Sequence, residues 1–300
     1  MISRVGTFDR FQRTNTFMQQ STARLAGLQD QLASGKKSEF YGGLAGVSGR
    51  LVSLQSESTR TVKFEAVNTQ VGSKLTQMDT QMSSLLDAAI AFKADLISAR
   101  NGGNALSAGL FNNANQRLQQ AASTLNATSA GEYLFGGSRT DAPPVDLSLF
   151  TTLPSATVVD AAYYQGDNQV LFAQIDKNFR LDYGINADSP AFEQYIRGVR
   201  LVKNAPTNDV AIGQAIDLVT SAIDGMRDLV AANGIRLKST EDVGDQHNAN
   251  NLVLQDTIGS LVDTDFLDVT TRLQLEQTNL QAQFTYIGRF SNLSLAQYLN

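Results

Sequence analysis

Apolar residues recur at heptad spacing in the first third of this chain. Phe64, Val71, Met78, Leu85 and Phe92 are seven apart, and Asn68, Leu75, Met82, Ala89 and Leu96 each follow by four. That alternation puts all ten on one seam of a helix, and only Asn68 breaks its apolar character. The pattern predicts one helix from about Gly46 to Arg100. At ~1.5 Å per residue it spans roughly 80 Å, which suits a rod or bundle. Nearer the N-terminus Phe11, Met18, Leu25 and Leu32 repeat the period with Leu28 between them, while Thr14 and Ser21 leave gaps in the seam. Ser34-Gly35-Lys36-Lys37 ends that helix, since Gly accepts the left-handed turn and Lys suits the negative helix end. Gly42, Gly43, Gly46 and Gly49 form a joint into the long helix. Asn101-Gly102-Gly103-Asn104 predicts a turn. Leu110, Ala114, Leu118, Ala121 and Leu125 then mark the inner face of a third helix, from Leu106 to about Thr128, antiparallel to the second.

All five prolines, Pro143, Pro144, Pro154, Pro190 and Pro206, lie in the middle of the chain. Proline removes a helix donor and clashes with the preceding turn, so two helical arms flank an irregular centre. In that centre Gln169–Ile175 and Phe179–Tyr183 are partly alternating apolar runs around Asp176-Lys177-Asn178, which predicts a β-hairpin with a three-residue turn. The stretch from Tyr133 to Tyr183 reads as a small β-containing subdomain. After Pro206, Ile212, Ile216, Val219, Ile223, Met226 and Val230 mark an amphipathic helix. Asn233-Gly234 predicts a turn, and Ser239-Thr240-Glu241-Asp242 predicts a new helix start. Leu252, Ile258 and Leu261 continue that helix. A last helix carries Phe266, Val269, Leu273, Leu280, Phe284 and Ile287.

The fold class is therefore mainly α, a long helical bundle with paired terminal coiled-coil helices and a small β-containing middle. We divide it into 1–45 and 263–300, the two parts of an inner coiled-coil domain; 46–132 and 206–262, the halves of a helical rod domain; and 133–205, the hairpin-containing middle.

Composition narrows the function. Of the 300 residues 42% are hydrophobic and 18% charged, below the usual charge content, and the net charge is −5. That balance argues against nucleic acid as a partner. No run is long and apolar enough for a membrane span, and the N-terminus lacks the apolar core of a cleaved signal peptide. There is no Cys and no Trp. Residues 277–300 carry one charged side chain, Arg289, yet keep Phe290, Leu293, Leu295 and Leu299. A solvated helix shows a charged outer face, so this segment is expected to be covered by protein on several sides. Residues 1–38 carry a net charge of +4 and residues 263–300 a net of −2, compatible with the ends packing together.

Chemistry finds little footing. His247, the one imidazole, reads as a polar residue on a helix surface rather than a metal ligand or catalytic base. Asp263-Thr264-Asp265 with Asp268 reads as helix capping rather than a cation site. Gly42–Gly49 lacks the frame of a phosphate loop, and no G-x-S-x-G elbow is present. No catalytic, cofactor or metal residues are assigned, and the chain is read as a non-enzyme.

Four segments resemble one family. Gln31-Leu32-Ala33-Ser34-Gly35-Lys36-Lys37 is similar to a stretch near the N-terminus of bacterial flagellins and flagellin-like junction proteins, and Gly46-Val47-Ser48-Gly49-Arg50-Leu51 to the joint before their long helix. Leu261-Val262-Asp263-Thr264-Asp265-Phe266 resembles the stretch before their terminal helix. Gly131-Glu132-Tyr133-Leu134-Phe135-Gly136-Gly137, running on to Pro143-Pro144, resembles the hook–filament junction proteins of the hook-associated protein 3 family more than flagellins. The resemblance implies an extracellular structural protein of the bacterial flagellum, exported without a cleaved signal by the flagellar type III machinery. It implies a homo-oligomeric ring, with the other junction protein, flagellin and an export chaperone as partners. The implied assembly interface is Phe11, Met18, Leu25, Leu28, Leu32, Phe266, Val269, Leu273, Leu280, Phe284, Ile287, Phe290, Leu293 and Leu295. A filament-forming flagellin and, more distantly, a cytoplasmic coiled-coil binding module are the alternatives.

Overall fold

In the computed structural model the proline-free arms are helical. The structure describes residues 2–44, 46–102 and 107–296, with side chains for 9, 12–44, 46–102 and 109–289. These residues form six α-helices: α1 Ile2–Ser34, α2 Ser48–Gly102, α3 Ser107–Leu125, α4 Pro190–Asn204, α5 Asp209–Val262 and α6 Phe266–Ala296. Two small antiparallel sheets pair β1 (Thr128–Ser129) with β2 (Glu132–Tyr133) and β3 (Phe172–Asp176) with β4 (Phe179–Asp182). The fold is mainly α, as the heptads predict. None of the described helices is long and apolar enough to cross a membrane.

The chain forms two compact units, Met1–Thr59 with Leu252–Asn300, and Arg60–Asn251. In the second unit the α2 seam is the core. Val71, Leu75, Met78, Met82, Leu85, Ala89, Phe92 and Leu96 are all buried. On α3 the predicted inner face, Leu110 through Leu125, is buried too, and the helix packs on α4. Asp95 of α2 accepts from Asn113 of α3 at 2.6 Å. Gly103, Asn104 and Leu106, part of the predicted turn and helix start, lie outside the described residues.

Helix α4 is an element the sequence reading did not predict. Its residues from Ala191 to Val202 are nearly all buried, Glu193, Arg197 and Arg200 among them. Phe192, Tyr195, Ile196, Val199 and Val202 do step by three and four, but the stripe lies in the proline-bearing stretch read as irregular. Pro190 stands at its first turn, where a missing N–H costs nothing. Gly198 lets it approach α5, for a Cβ there would lie 3.1 Å from Val219 and 3.3 Å from the Ala215 carbonyl.

The irregular segment from Phe150 to Tyr163 is strapped to α4 by those charges. Arg200 donates through Nη1 to Asp160 at 2.7 Å and through Nη2 to the Thr152 carbonyl at 2.8 Å. Its guanidinium lies 3.3 Å from the centre of the Phe150 ring. Arg197 donates to the Ala156 carbonyl at 3.0 Å, and Glu193 accepts from the Asp160 amide at 3.0 Å. The Tyr163 hydroxyl donates to the Ala187 carbonyl, and burial pushes the phenol's pKa well up. Asp167 organises the Gly131–Pro144 stretch next to it. Its carboxylate accepts from the Ser138 amide and hydroxyl and from the Gln169 amide, while its own N–H donates to Gly136 O. The expected β-containing middle is therefore mostly side-chain-tethered loop. The hairpin is present but shorter: Asp176 joins β3 with a bulge after Gln174, which leaves Lys177-Asn178 as the turn. Its inner residues Ile175, Leu181 and Tyr183 pack against Val71 and Leu75.

Two expectations about the second arm are corrected. α5 runs unbroken through Asn233-Gly234 and Ser239–Asp242. Asn233 is fully buried, and its amide donates to Leu75 O of α2 at 2.9 Å, so the side chain serves a helix–helix contact rather than a turn. A glycine inside a helix costs only ~1 kcal/mol, which packing overrides. His247 is not on the surface. It is 5% exposed, stacked on Phe64 at 6.0 Å between ring centres, with Nε2 2.8 Å from Ile175 O. The hairpin, invisible to a helical-face argument, covers it.

Candidate assembly surface

The first unit is built on α1 and α6, packed antiparallel. On α1 the non-exposed positions Thr14, Met18, Ser21, Leu25, Leu28 and Leu32 step by four and three, and on α6 Val269, Leu273, Glu276, Leu280, Gln283 and Ile287 do the same. These two stripes form one seam. Of its apolar members Val269 and Leu280 are buried and the others half-buried.

The gap the sequence leaves at Ser21 proves to be a polar layer. Ser21 is 1% exposed, and its hydroxyl oxygen accepts from Arg24 at 2.9 Å and from Gln283 at 3.3 Å. Arg24 also reaches Glu276 at 2.8 Å. A hydrogen bond from Ser21, then Arg24 and Asn279, hold the Glu276 carboxyl below its ordinary pKa against the opposing effect of burial. Glu276 and Gln283 were missed as seam members because both are polar; their spacing from Val269 and Leu280 is the signal that finds them.

The joint below the seam connects the two ends of the chain. Gly35 adopts φ +70°, which ends α1 and aims the next residues along Val262–Thr264. The Lys37 amide donates to Val262 O at 2.8 Å and the Thr264 amide to Gly35 O at 2.9 Å. The Lys37 ammonium donates to Ser260 O and Leu261 O, the last carbonyls of α5. Lys37 thus caps α5, not the helix it follows. Asp265 accepts from the Leu267 and Asp268 amides and caps α6, as the capping reading of the acidic cluster expects.

The predicted interface residues divide into three groups. Met18, Leu25, Leu28, Leu32, Val269, Leu273, Leu280 and Ile287 meet in the seam. Phe284 does not join it; it is 59% exposed. Phe266 is 57% exposed, with its ring edge against Gly35. The side chains of Phe11, Phe290, Leu293 and Leu295 lie outside the described residues. Further exposed apolar groups that sequence reasoning did not select are Phe17 on α1 and Leu267, Leu275 and Tyr286 on α6. Among the described residues the seam has two buried apolar side chains and a polar layer, which supply little hydrophobic stabilisation, and the helices leave several large apolar groups in water.

No family model matches the chain, and no curated protein matches it. Solved structures do. A structure described as a flagellar hook-associated protein from Vibrio parahaemolyticus superposes with a TM-score of 0.60 at 15% identity, covering 72% of this chain and 97% of that one. FlgL from Bacillus cereus gives 0.56 at 18% identity, covering 70% and 99%. The chain has the fold of these proteins.

Proposed function

We propose that this protein is a structural component of the bacterial flagellum, joining the hook to the flagellin filament as a ring of copies assembled through α1 and α6. The observation that carries this reading is the joint: the segments around Gly35 and Asp263, from opposite ends of the sequence, hydrogen-bond to each other and lead into one heptad-paired helix pair. The fold shared with a hook-associated protein and with FlgL supports the same reading. The Gly131–Pro144 stretch, held in shape by Asp167, favours a junction protein over a filament-forming flagellin.

The mechanism follows from the weak seam. Among the described residues the α1–α6 pair buries little apolar surface, and the exposed Phe17, Leu267, Leu275 and Phe284 would be covered by neighbouring subunits. Ordering of the ends is then coupled to assembly, which keeps free subunits from polymerising and makes the assembled wall cooperative. The partners are further copies, the other junction protein, flagellin and an export chaperone before secretion. The protein is not an enzyme, and it works outside the cell after export.

Gene deletion tests the assignment. A junction protein leaves hooks without filaments while flagellin is shed into the medium; loss of a filament subunit leaves complete junctions; intact flagella would refute both and favour a cytoplasmic module. Hydrogen exchange on the free subunit tests the mechanism: fast exchange over residues 12–32 and 270–289 is expected, and strong protection there overturns coupled folding.

A further inference from the structure

The seam between α2 and α5 changes character along its length. On α2 the positions Thr61, Asn68, Leu75, Met82, Ala89 and Leu96 are seven apart and buried; on α5 Ile212, Val219, Met226, Asn233, Thr240 and His247 are seven apart and buried. Towards Leu96 and Ile212 every layer is apolar. Towards Thr61 and His247 three consecutive layers hold polar groups. Such a run weakens a helix pair, because buried amides contribute less than the aliphatic groups they displace. Position by position, these amides are specific.

Each helix sends one amide to the main chain of the other. Asn68 Nδ2 donates to Thr240 O, and Asn233 Nδ2 donates to Leu75 O at 2.9 Å and to Asp79 at 3.3 Å. The contact between Asn68 and Thr240 also has a glycine on each helix. A Cβ on Gly244 would stand 3.0 Å from Asn68 Nδ2, and one on Gly72 would stand 3.6 Å from Thr240 Oγ1. The asparagine is thus seated in a notch that only glycine leaves open. Shift either helix by one heptad and Gly244 is replaced by Leu237 or Asn251, and Gly72 by Glu65 or Asp79. The apolar layers would tolerate that shift, since Leu, Met and Val interchange with modest loss. The Asn68–Gly244 pair would not.

We propose that Asn68–Gly244 and Asn233, with Gly72 beside Thr240, form a register lock that holds α2 and α5 in one of several axial alignments their heptads would otherwise allow. A buried asparagine favours one alignment here because a shift by a heptad sets Asn68 against Leu237 or Asn251 in place of Gly244 and removes the room its amide occupies. The lock lies beside the hairpin, whose Ile175 carbonyl is bound by His247 in the next polar layer, so the register of the two helices also sets where the hairpin sits.

The test uses the full chain, whose lack of cysteine makes spin labelling clean. Labels are placed at Gln70→Cys and Asp245→Cys, both exposed. The parent should give one narrow distance distribution by pulsed dipolar spectroscopy. In Asn68→Leu/Asn233→Leu the melting temperature should hold or rise while the distribution broadens, or gains a population displaced along the axis by about 10 Å, one heptad at 1.5 Å per residue. A single unchanged distance in a folded double variant overturns the proposal. If that variant does not fold, a cycle of Gly244→Ala, Asn68→Ala and both decides. Substituting either partner already disables the notch, so the double variant should melt close to the worse single one; additive melting shifts overturn the lock.

Discussion

Replacing Arg200 by Met should destabilise the second unit severely, although most of the side-chain volume is kept. Arg200 and Asp160 are 9% and 17% exposed and lie 2.7 Å apart. Without the guanidinium, Asp160 keeps only the Ala162 amide at 3.2 Å and the Thr152 hydroxyl at 3.3 Å, and Thr152 O loses its donor. Breaking a buried pair from one side costs about 3–5 kcal/mol, and two surviving donors put this case near ~3. At roughly 2–4 °C per kcal/mol for a unit of this size, the calorimetric transition should fall by about 6–12 °C. Arg200→Met with Asp160→Asn should recover much of that, since no charge is then stranded. The pH profile gives a second readout. Burial alone would raise the Asp160 carboxyl, but Arg200, the Ala162 amide and Thr152 bring it below its ordinary value. A depressed carboxyl contributes stability above its unfolded pKa, near 4, and loses it as pH falls through the folded one. That acid-dependent loss should be smaller in Arg200→Met. A drop under ~1 kcal/mol, or a double variant no better than the single, would refute the view that the strap is held by this charge.

Other outcomes follow from the same contacts. Gly35→Ala, at φ +70°, should cost about 1–2 kcal/mol and speed hydrogen exchange of the Lys37 and Thr264 amides. Glu276, depressed by Ser21 and Arg24, should make α1–α6 pairing weaken as pH falls below the ordinary glutamate range, and Glu276→Gln should flatten that dependence in assembled material. Tyr163→Phe strands the Ala187 carbonyl in the core and should cost ~1–2 kcal/mol in urea titration, with no effect on the first unit. Phe284→Ser should leave the melting of the isolated chain unchanged, because the ring is already exposed, yet impair motility; normal swimming would remove Phe284 from the assembly surface.

Much of this architecture is legible as period. Val71 to Leu96 on α2 and Leu110 to Leu125 on α3 announce their inner faces because each helix has a wet side for contrast. Helix α4 has an apolar stripe too, but it lies among the prolines, and its Glu193, Arg197 and Arg200 look like surface residues until the strap is seen to supply their partners. Local turn chemistry misled at Asn233-Gly234, where the amide is taken by another helix, and His247 was misplaced because the hairpin that buries it comes from a distant part of the sequence. On the assembly surface the heptads named the seam, but the exposed Leu267, Leu275 and Tyr286 could not be told from core residues by spacing alone.

The sequence by itself determined that both arms are helical, because proline and heptad period act within a few residues of each position, though it missed α4 and broke α5. It also indicated that the two ends belong together, through complementary charge and matched motifs. Only the tertiary structure decided which polar groups are buried, that Lys37 caps α5, and which apolar side chains remain in water. Those outcomes depend on partners far apart in the chain, and no local pattern encodes the distance between them.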